Sequence, residues 1–208
     1  MKVIKYILIS LVVFLISGYF LLQNHSVQNR LFENTVRGLF QADEIFMSDA
    51  LSVAVCGSRA PLPSPNRAET CLLVQAGTSK FIIDSGRGSA DNLQRWRVDY
   101  SDLEAVILSH LHSDHISDLH EVQFQSWLGG RKTPLSVIGP VGTASTAQGF
   151  EQAFKLDSIY RSEHHGAILP IEAYGYDVVE FDGDSALIFQ NEDTSITAFK
   201  VDHFPVDP

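Results

Sequence analysis

The chain is short of basic residues: 15 Lys and Arg stand against 25 Asp and Glu, a formal charge of −10 over 208 residues. From residue 171 onward, nine carboxylates face a single Lys, Lys200. A surface of that sign repels polyphosphate, whose binding relies on Lys and Arg, so nucleic acid is an unlikely partner. Cysteine is scarce as well. Cys56 and Cys71 lie outside any metal-ligand spacing, and nothing near them in sequence favours a thiolate, so neither is assigned a ligand or nucleophile role. Around Gly86-Arg87-Gly88 there is neither a Gly-x-Gly-x-x-Gly nor a Gly-Lys-Ser/Thr pattern, which removes support for a phosphate-loop nucleotide site. Asp182-Gly183-Asp184 lacks the later oxygen ligands of a calcium loop and reads as a hairpin turn. No internal repeat is visible.

Apolar residues make up 45% of the chain, enough for one domain-sized core and not clearly for two. The chain opens with Lys2 and Lys5, and residues 6–22 then form an unbroken run of apolar and small residues. At about 1.5 Å per residue a helix of that length only just spans a bilayer. A signal peptide shares the basic start and apolar stretch, but no Ala-x-Ala site follows Leu22, which favours an uncleaved anchor with its start on the cytoplasmic side. On either reading the rest of the protein is exported, either anchored facing the periplasm or released as a periplasmic or secreted protein. Residues 1–23 are therefore expected to be an anchor or signal, residues 24–46 a linker with a helix carrying Leu31, Phe32, Val36, Leu39 and Phe40, and residues 47–208 one catalytic domain. In an oxidising compartment Cys56 and Cys71 can close a proline-rich loop of about fifteen residues as a disulfide; two buried free thiols are the alternative.

His110-Leu111-His112-Ser113-Asp114-His115 packs three imidazoles and a carboxylate into six residues, far denser than packing requires. The apolar run at 103–108 before it is of strand type, so the cluster sits where a buried strand gives way to a loop. Residues i and i+2 of extended backbone point the same way, so His110 and His112 can grip one ion while Asp114 and His115 turn toward a second. The mixed nitrogen and oxygen set suits zinc, although ligand type constrains metal choice only loosely.

This motif resembles that of the metallo-β-lactamase fold superfamily, and three further stretches resemble its ribonuclease Z-like branch. These are Cys56-Gly57-Ser58-Arg59 with Pro61 to Arg67, the Asp84-Ser85-Gly86 turn after Phe81-Ile82-Ile83, and Lys200-Val201-Asp202-His203-Phe204-Pro205-Val206. The resemblance covers most of residues 50–208. It implies an α+β fold, the αββα metallo-β-lactamase sandwich, with the first half and the start of the second present. It also implies that His203 completes the first metal site, that Asp114 binds the second ion and orients the nucleophile, and that Asp84 hydrogen-bonds a ligand histidine from outside the metal shell. Members continue beyond the His203 motif with an aspartate that bridges both ions and a late histidine; this sequence stops at Pro208. The expectation is a chain cut after that motif, or a naturally shortened and inactive relative, with two zinc ions in the full-length protein.

The implied reaction is dinuclear zinc hydrolysis of an ester in a small substrate, with phosphodiester as the first guess. Zinc aryl or alkyl sulfatase, the tRNA 3′ processing endonuclease ribonuclease Z, and a non-catalytic membrane-tethered metal-binding module are the alternatives. Export, the acidic charge and a 119–134 segment too short for the arm with which ribonuclease Z grips tRNA weigh against tRNA. Periodicity predicts strands near 51–55, 71–75, 80–83, 105–108 and 135–138, helices over 89–96, 116–127 and 143–154, and a C-terminal meander of 176–181, 186–190 and 195–201. The helix at 116–127 is expected to point its positive end at the site. His120 is expected to be structural, and His164 and His165 to be exposed.

Overall fold

The computed structural model describes residues 2–39 and 50–203. The end of the predicted linker (40–46), the start of the predicted domain (47–49) and the motif residues after His203 lie outside the described residues. The chain divides into two compact units, residues 1–39 and 40–208.

The first unit is a helix pair, α1 (Lys2–Leu22) and α2 (His25–Leu39). Lys2 to Leu22 contains neither proline nor an acidic residue, so nothing interrupts α1. Asn24 separates the two helices, and its Oδ1 accepts the backbone N–H of Ser26 at 2.9 Å, which starts α2. The 19 residues Ile4–Leu22 are long and apolar enough to cross a membrane, by length and composition alone.

The second unit is built on a six-stranded sheet in the order β1-β2-β3-β4-β5-β6: β1 (Leu51–Gly57), β2 (Cys71–Ala76), β3 (Ser79–Ile83), β4 (Leu103–Ile107), β5 (Leu135–Pro140) and β6 (Tyr176–Phe181). The first three strands are antiparallel, while β3 to β6 run parallel. β3 and β4 carry apolar residues on both faces, as strands buried front and back require. Gly77, at φ 58°, closes the tight turn between β2 and β3.

Helices cover one face. Leu93 of α3 (Ser89–Arg95) and Leu119 and Val122 of α5 (Leu119–Leu128) pack on Leu73, Ile82, Val106 and Val137 of the strands. A second, two-stranded sheet covers the other face: β7 (Ser185–Gln190) and β8 (Ser195–Phe199) bring Ile188, Phe189 and Ile196 onto Phe81, Ala105, Ile107 and Ile138. Phe81 and Phe189 meet edge to face, 4.8 Å between ring centres. Fully burying a side chain of this size contributes roughly 1.5–3 kcal/mol. The layer order helix, sheet, sheet is the beginning of the expected sandwich.

Two sequence expectations need correction. The C-terminal meander is absent: β6 is the outer strand of the large sheet beside β5, and Asp182-Gly183-Asp184 is a corner between sheets and not a hairpin turn. The alternation of β6 marks a half-buried strand without saying which sheet holds it. The helix expected over 116–127 is interrupted, because the Asp118 N–H donates to the Ser85 carbonyl at 2.7 Å and breaks the run into a short turn, α4 (Ser113–Ile116), and α5. The positive helix end predicted just after His115 is therefore displaced, and α5 starts at Leu119. The helix predicted over 143–154 continues to His165 as α6 (Thr143–His165).

Candidate metal centre

β3 and β4 run parallel, so the turns that follow them lie at one end of the sheet, and His203, just after β8 of the second sheet, meets them there. The loop after β4 carries the histidine cluster. His112 is extended (φ −65°, ψ 149°), so its side chain points the same way as that of His110, and His110 Nε2 lies 2.9 Å from His112 Nδ1. His203, which follows β8, arrives from the second sheet, its ring centre 4.9 Å from that of His110 and 5.8 Å from that of His112. One ligand nitrogen from each of these three lies within 4.8 Å of the other two. A tetrahedral zinc with bonds of about 2.0 Å holds nitrogens roughly 3.3 Å apart. Three imidazoles whose nitrogens bracket that spacing fit such an ion.

Asp114 and His115 form a second pair. Asp114 Oδ2 is 3.6 Å from His115 Nε2, and the His115 ring centre is 4.0 Å from that of His110. Asp114 is buried, as is His110, while His112 and His203 are exposed. Among the described residues, no third His, Cys, Asp or Glu joins Asp114 and His115 as a ligand group.

Asp84 organises this end of the sheet from below. It is one of two described non-glycine residues with positive φ, at 59°. Its Oδ1 accepts the Ser109 N–H at 2.8 Å, and its Oδ2 accepts the Ser109 hydroxyl at 2.8 Å and His115 Nδ1 at 2.7 Å. A left-handed non-glycine residue costs on the order of 1 kcal/mol, and these three bonds hold it there. Gly86 is demanded by contact: a Cβ would stand 2.0 Å from the Asp114 carbonyl oxygen and 2.6 Å from Glu69 Cβ. The Ser85 N–H donates to the His115 carbonyl at 2.7 Å, so the turn after β3 clamps the backbone that carries Asp114 and His115.

The local charges set the imidazoles differently. Burial depresses the pKa of His110, and neighbouring His115 and His112 add to the effect, keeping the ring neutral and its lone pair free. For His115, burial also disfavours charge, but the Asp84 hydrogen bond and the carboxylates of Asp84, Asp114 and Glu69 outweigh it and hold the pKa above the ordinary value.

Sequence reasoning gave no role to Ser109, Glu69 or Asp118. Glu69 is buried, pairs with Arg59 at 2.8 Å and accepts the Arg87 N–H at 3.0 Å, tying the loop after β1 to the turn after β3. Asp118 accepts the Ala90 N–H at 3.1 Å and so caps α3 from another element. Only Ser109, adjacent to the cluster, left a sequence signal; the other two are joined to their partners by the fold alone. His120 lies away from the cluster, stacked on Phe154, and His164 and His165 end α6. Cys56 and Cys71 form a disulfide across β1 and β2, with a sequence separation of 15.

Residues 65–138 match the family model of the metallo-beta-lactamase superfamily. Ribonuclease Z of Mycobacterium marinum is 37% identical over 164 residues, covering 76% of this chain and 56% of that protein. Ribonuclease Z of Mycobacterium bovis is 35% identical over the same span. The chain thus spans about 56% of the length of these curated relatives. Among solved structures, the short form of human tRNase Z superposes with a TM-score of 0.57 at 20% identity, over 74% of this chain and 60% of that one. A metallo-beta-lactamase fold protein of Bacillus subtilis gives 0.50 at 23% identity, over 73% and 58%. At these identities the two structures establish the fold.

Proposed function

This chain belongs to the metallo-β-lactamase superfamily, in its ribonuclease Z-like branch, and from that premise we propose that its histidine cluster is the centre of a zinc-dependent phosphodiesterase. The observation that carries the proposal is the convergence of His203 on His110 and His112, across some ninety residues of sequence and from a different sheet. In this reading His110, His112 and His203 hold the first zinc, and Asp114 and His115 contribute to a second. Zinc bound there supplies Lewis acidity, activating water and offsetting negative charge on phosphate oxygens. The chain's own groups do the rest. Asp114 is placed to orient the attacking water and accept its proton, and Asp84 fixes the His115 ring through Nδ1 so that Nε2 stays on the Asp114 side.

For substrate class, the ribonuclease Z relatives favour an RNA phosphodiester, the alternative that the sequence ranked below a small ester when it made nucleic acid an unlikely partner. A small phosphate or sulfate ester is the second reading, favoured by the net charge of −10 and by the short 129–134 connection between α5 and β5. The Cys56–Cys71 disulfide and the apolar α1 support an exported domain anchored by its first helix, facing the periplasm.

The test is metal analysis of the purified full chain, followed by rates on an RNA with a 3′ trailer, an aryl phosphodiester, an aryl sulfate and an aryl ester. Phosphodiester cleavage abolished by His110→Ala and by chelation is the expected result. Aryl sulfate turnover above phosphodiester turnover reverses the substrate ranking, metal bound without turnover of any of the four substrates favours the non-catalytic metal-binding module, and protein that carries no metal after loading ends the hydrolase reading.

A further inference from the structure

One hydroxyl sits between both halves of the cluster. Ser109 Oγ lies 2.8 Å from Asp84 Oδ2, 3.1 Å from His110 Nδ1 and 3.3 Å from His115 Nδ1. Counting protons fixes the direction of these contacts. The Asp84 carboxylate only accepts, so the single hydroxyl proton of Ser109 goes to Oδ2. The serine oxygen then has only lone pairs to offer, and His110 must donate to it from Nδ1. His115 Nδ1 has a closer acceptor in Asp84 Oδ2, at 2.7 Å, and donates there. In its neutral form each ring therefore carries its proton on Nδ1 and leaves Nε2 bare. Those are the atoms that face the other ligands: His110 Nε2 toward His112, and His115 Nε2 toward Asp114.

We propose that Ser109 is a positioning residue that sets the ligating tautomer of His110 and, through the Asp84 carboxylate it shares with His115, joins the two halves of the metal centre in one hydrogen-bonded unit. The inference rests on the metal reading above and adds to it a group that touches neither metal nor substrate. Partners of this kind typically change metal affinity by 10- to 100-fold. Ser109 is exposed, so water can take the place of its hydroxyl, and the effect belongs at the lower end.

The experiment compares the full-length wild type with Ser109→Ala, Ser109→Thr and His110→Ala. Zinc affinity is read by chelator competition, the ligand field by the visible spectrum of the cobalt-substituted protein, and folding by the melting temperature of the metal-free form. Ser109→Ala should bind zinc about tenfold more weakly and shift the cobalt spectrum, with only the small fall in metal-free melting temperature that one lost hydrogen bond to Asp84 brings, and Ser109→Thr, which keeps the hydroxyl, should restore affinity and spectrum. If Ser109→Ala matches the wild type in affinity and spectrum while His110→Ala loses the metal, Ser109 has no positioning role and the metal centre stands. A threonine variant as impaired as the alanine one equally overturns the hydroxyl's role. A wild type that takes up no zinc removes the proposed function, and this inference with it.

Discussion

His120 makes the stability of this domain depend on pH in a way that one substitution isolates. The ring lies on α5, stacked on Phe154 of α6 at 3.3 Å between centres and 6° between planes. Its Nδ1 is buried without a hydrogen-bond partner. Burial pushes its pKa down to about 4, with Asp157 pulling weakly the other way. Asp157 is itself engaged by Arg161 Nε at 2.8 Å, and the Arg161 guanidinium lies 4.7 Å over the Phe124 ring, so this seam has little negative charge to spare for an imidazolium. In the unfolded chain the ring titrates at its ordinary value of about 6.5. Between that value and about 4 the unfolded state binds the extra proton. Stability is therefore fully present above pH 6.5 and is lost as pH falls toward 4. The whole shift corresponds to ~3 kcal/mol. The ring is only partly buried, and discounting for solvent leaves on the order of 1–2 kcal/mol. Urea unfolding of the wild type and of His120→Phe, which keeps a flat ring and cannot titrate, should give curves whose separation changes by that amount between pH 7 and pH 4.5, the wild type losing more. Other groups titrate in both proteins and cancel in the difference. Parallel curves would refute the argument and show the ring to be solvated.

Three other outcomes follow from particular contacts. Reducing the Cys56–Cys71 bridge, which closes a 15-residue separation, should lower stability by about 3 kcal/mol through the unfolded chain; the urea midpoint should drop with reductant in the wild type and not in the Cys56→Ala/Cys71→Ala double variant. Gly86→Ala places a methyl 2.0 Å from the Asp114 carbonyl, so it should cost at least about 2 kcal/mol and lower zinc stoichiometry, and a variant as stable as the wild type with full zinc would contradict the clamp. Gly149 lies within α6 with nothing within 4 Å of a built Cβ, so Gly149→Ala should stabilise by up to about 1 kcal/mol in thermal melts.

The sequence made the centre legible where chemistry is concentrated and left it illegible where geometry is. His110 to His115 announce themselves because no packing need calls for three imidazoles in six residues. Strands β1 to β5 fall within a few residues of the predicted spans because apolar runs between turn residues have few other readings. The failures share a cause. β6 carries the alternation of a half-buried strand, and that pattern is identical whether the strand pairs with β5 or with β7. The break between α4 and α5 is imposed by a hydrogen bond from Asp118 to Ser85, thirty-three residues upstream, and helical periodicity holds no record of it. Glu69 and Asp118 became visible only as partners, since a lone carboxylate has no signature until its donors are placed.

The position of His203 links the metal centre to the packing of the two sheets. His110, His112, Asp114 and His115 all lie on one short loop whose backbone is clamped by Ser85 and Gly86, so this part of the site is set by the large sheet alone. His203 depends on the hairpin β7–β8. The hairpin is held by the Phe81–Phe189 contact and, at its far turn, by Asn191 Nδ2 donating to Ser79 Oγ at 2.9 Å and Thr194 Oγ1 donating to the Ala76 carbonyl at 3.3 Å. Those anchors grip the end of the sheet opposite the histidines, so β8 spans the sheet and delivers His203 to the cluster. A metal held by all three imidazoles binds the docked arrangement and not the undocked one, and by mass action it stabilises the contact between the sheets. If the three imidazoles hold a metal as proposed, its occupancy and the docking of the second sheet are coupled, and Phe189→Ala, which weakens the remote contact with Phe81, should weaken zinc binding in a chelator competition without touching a ligand.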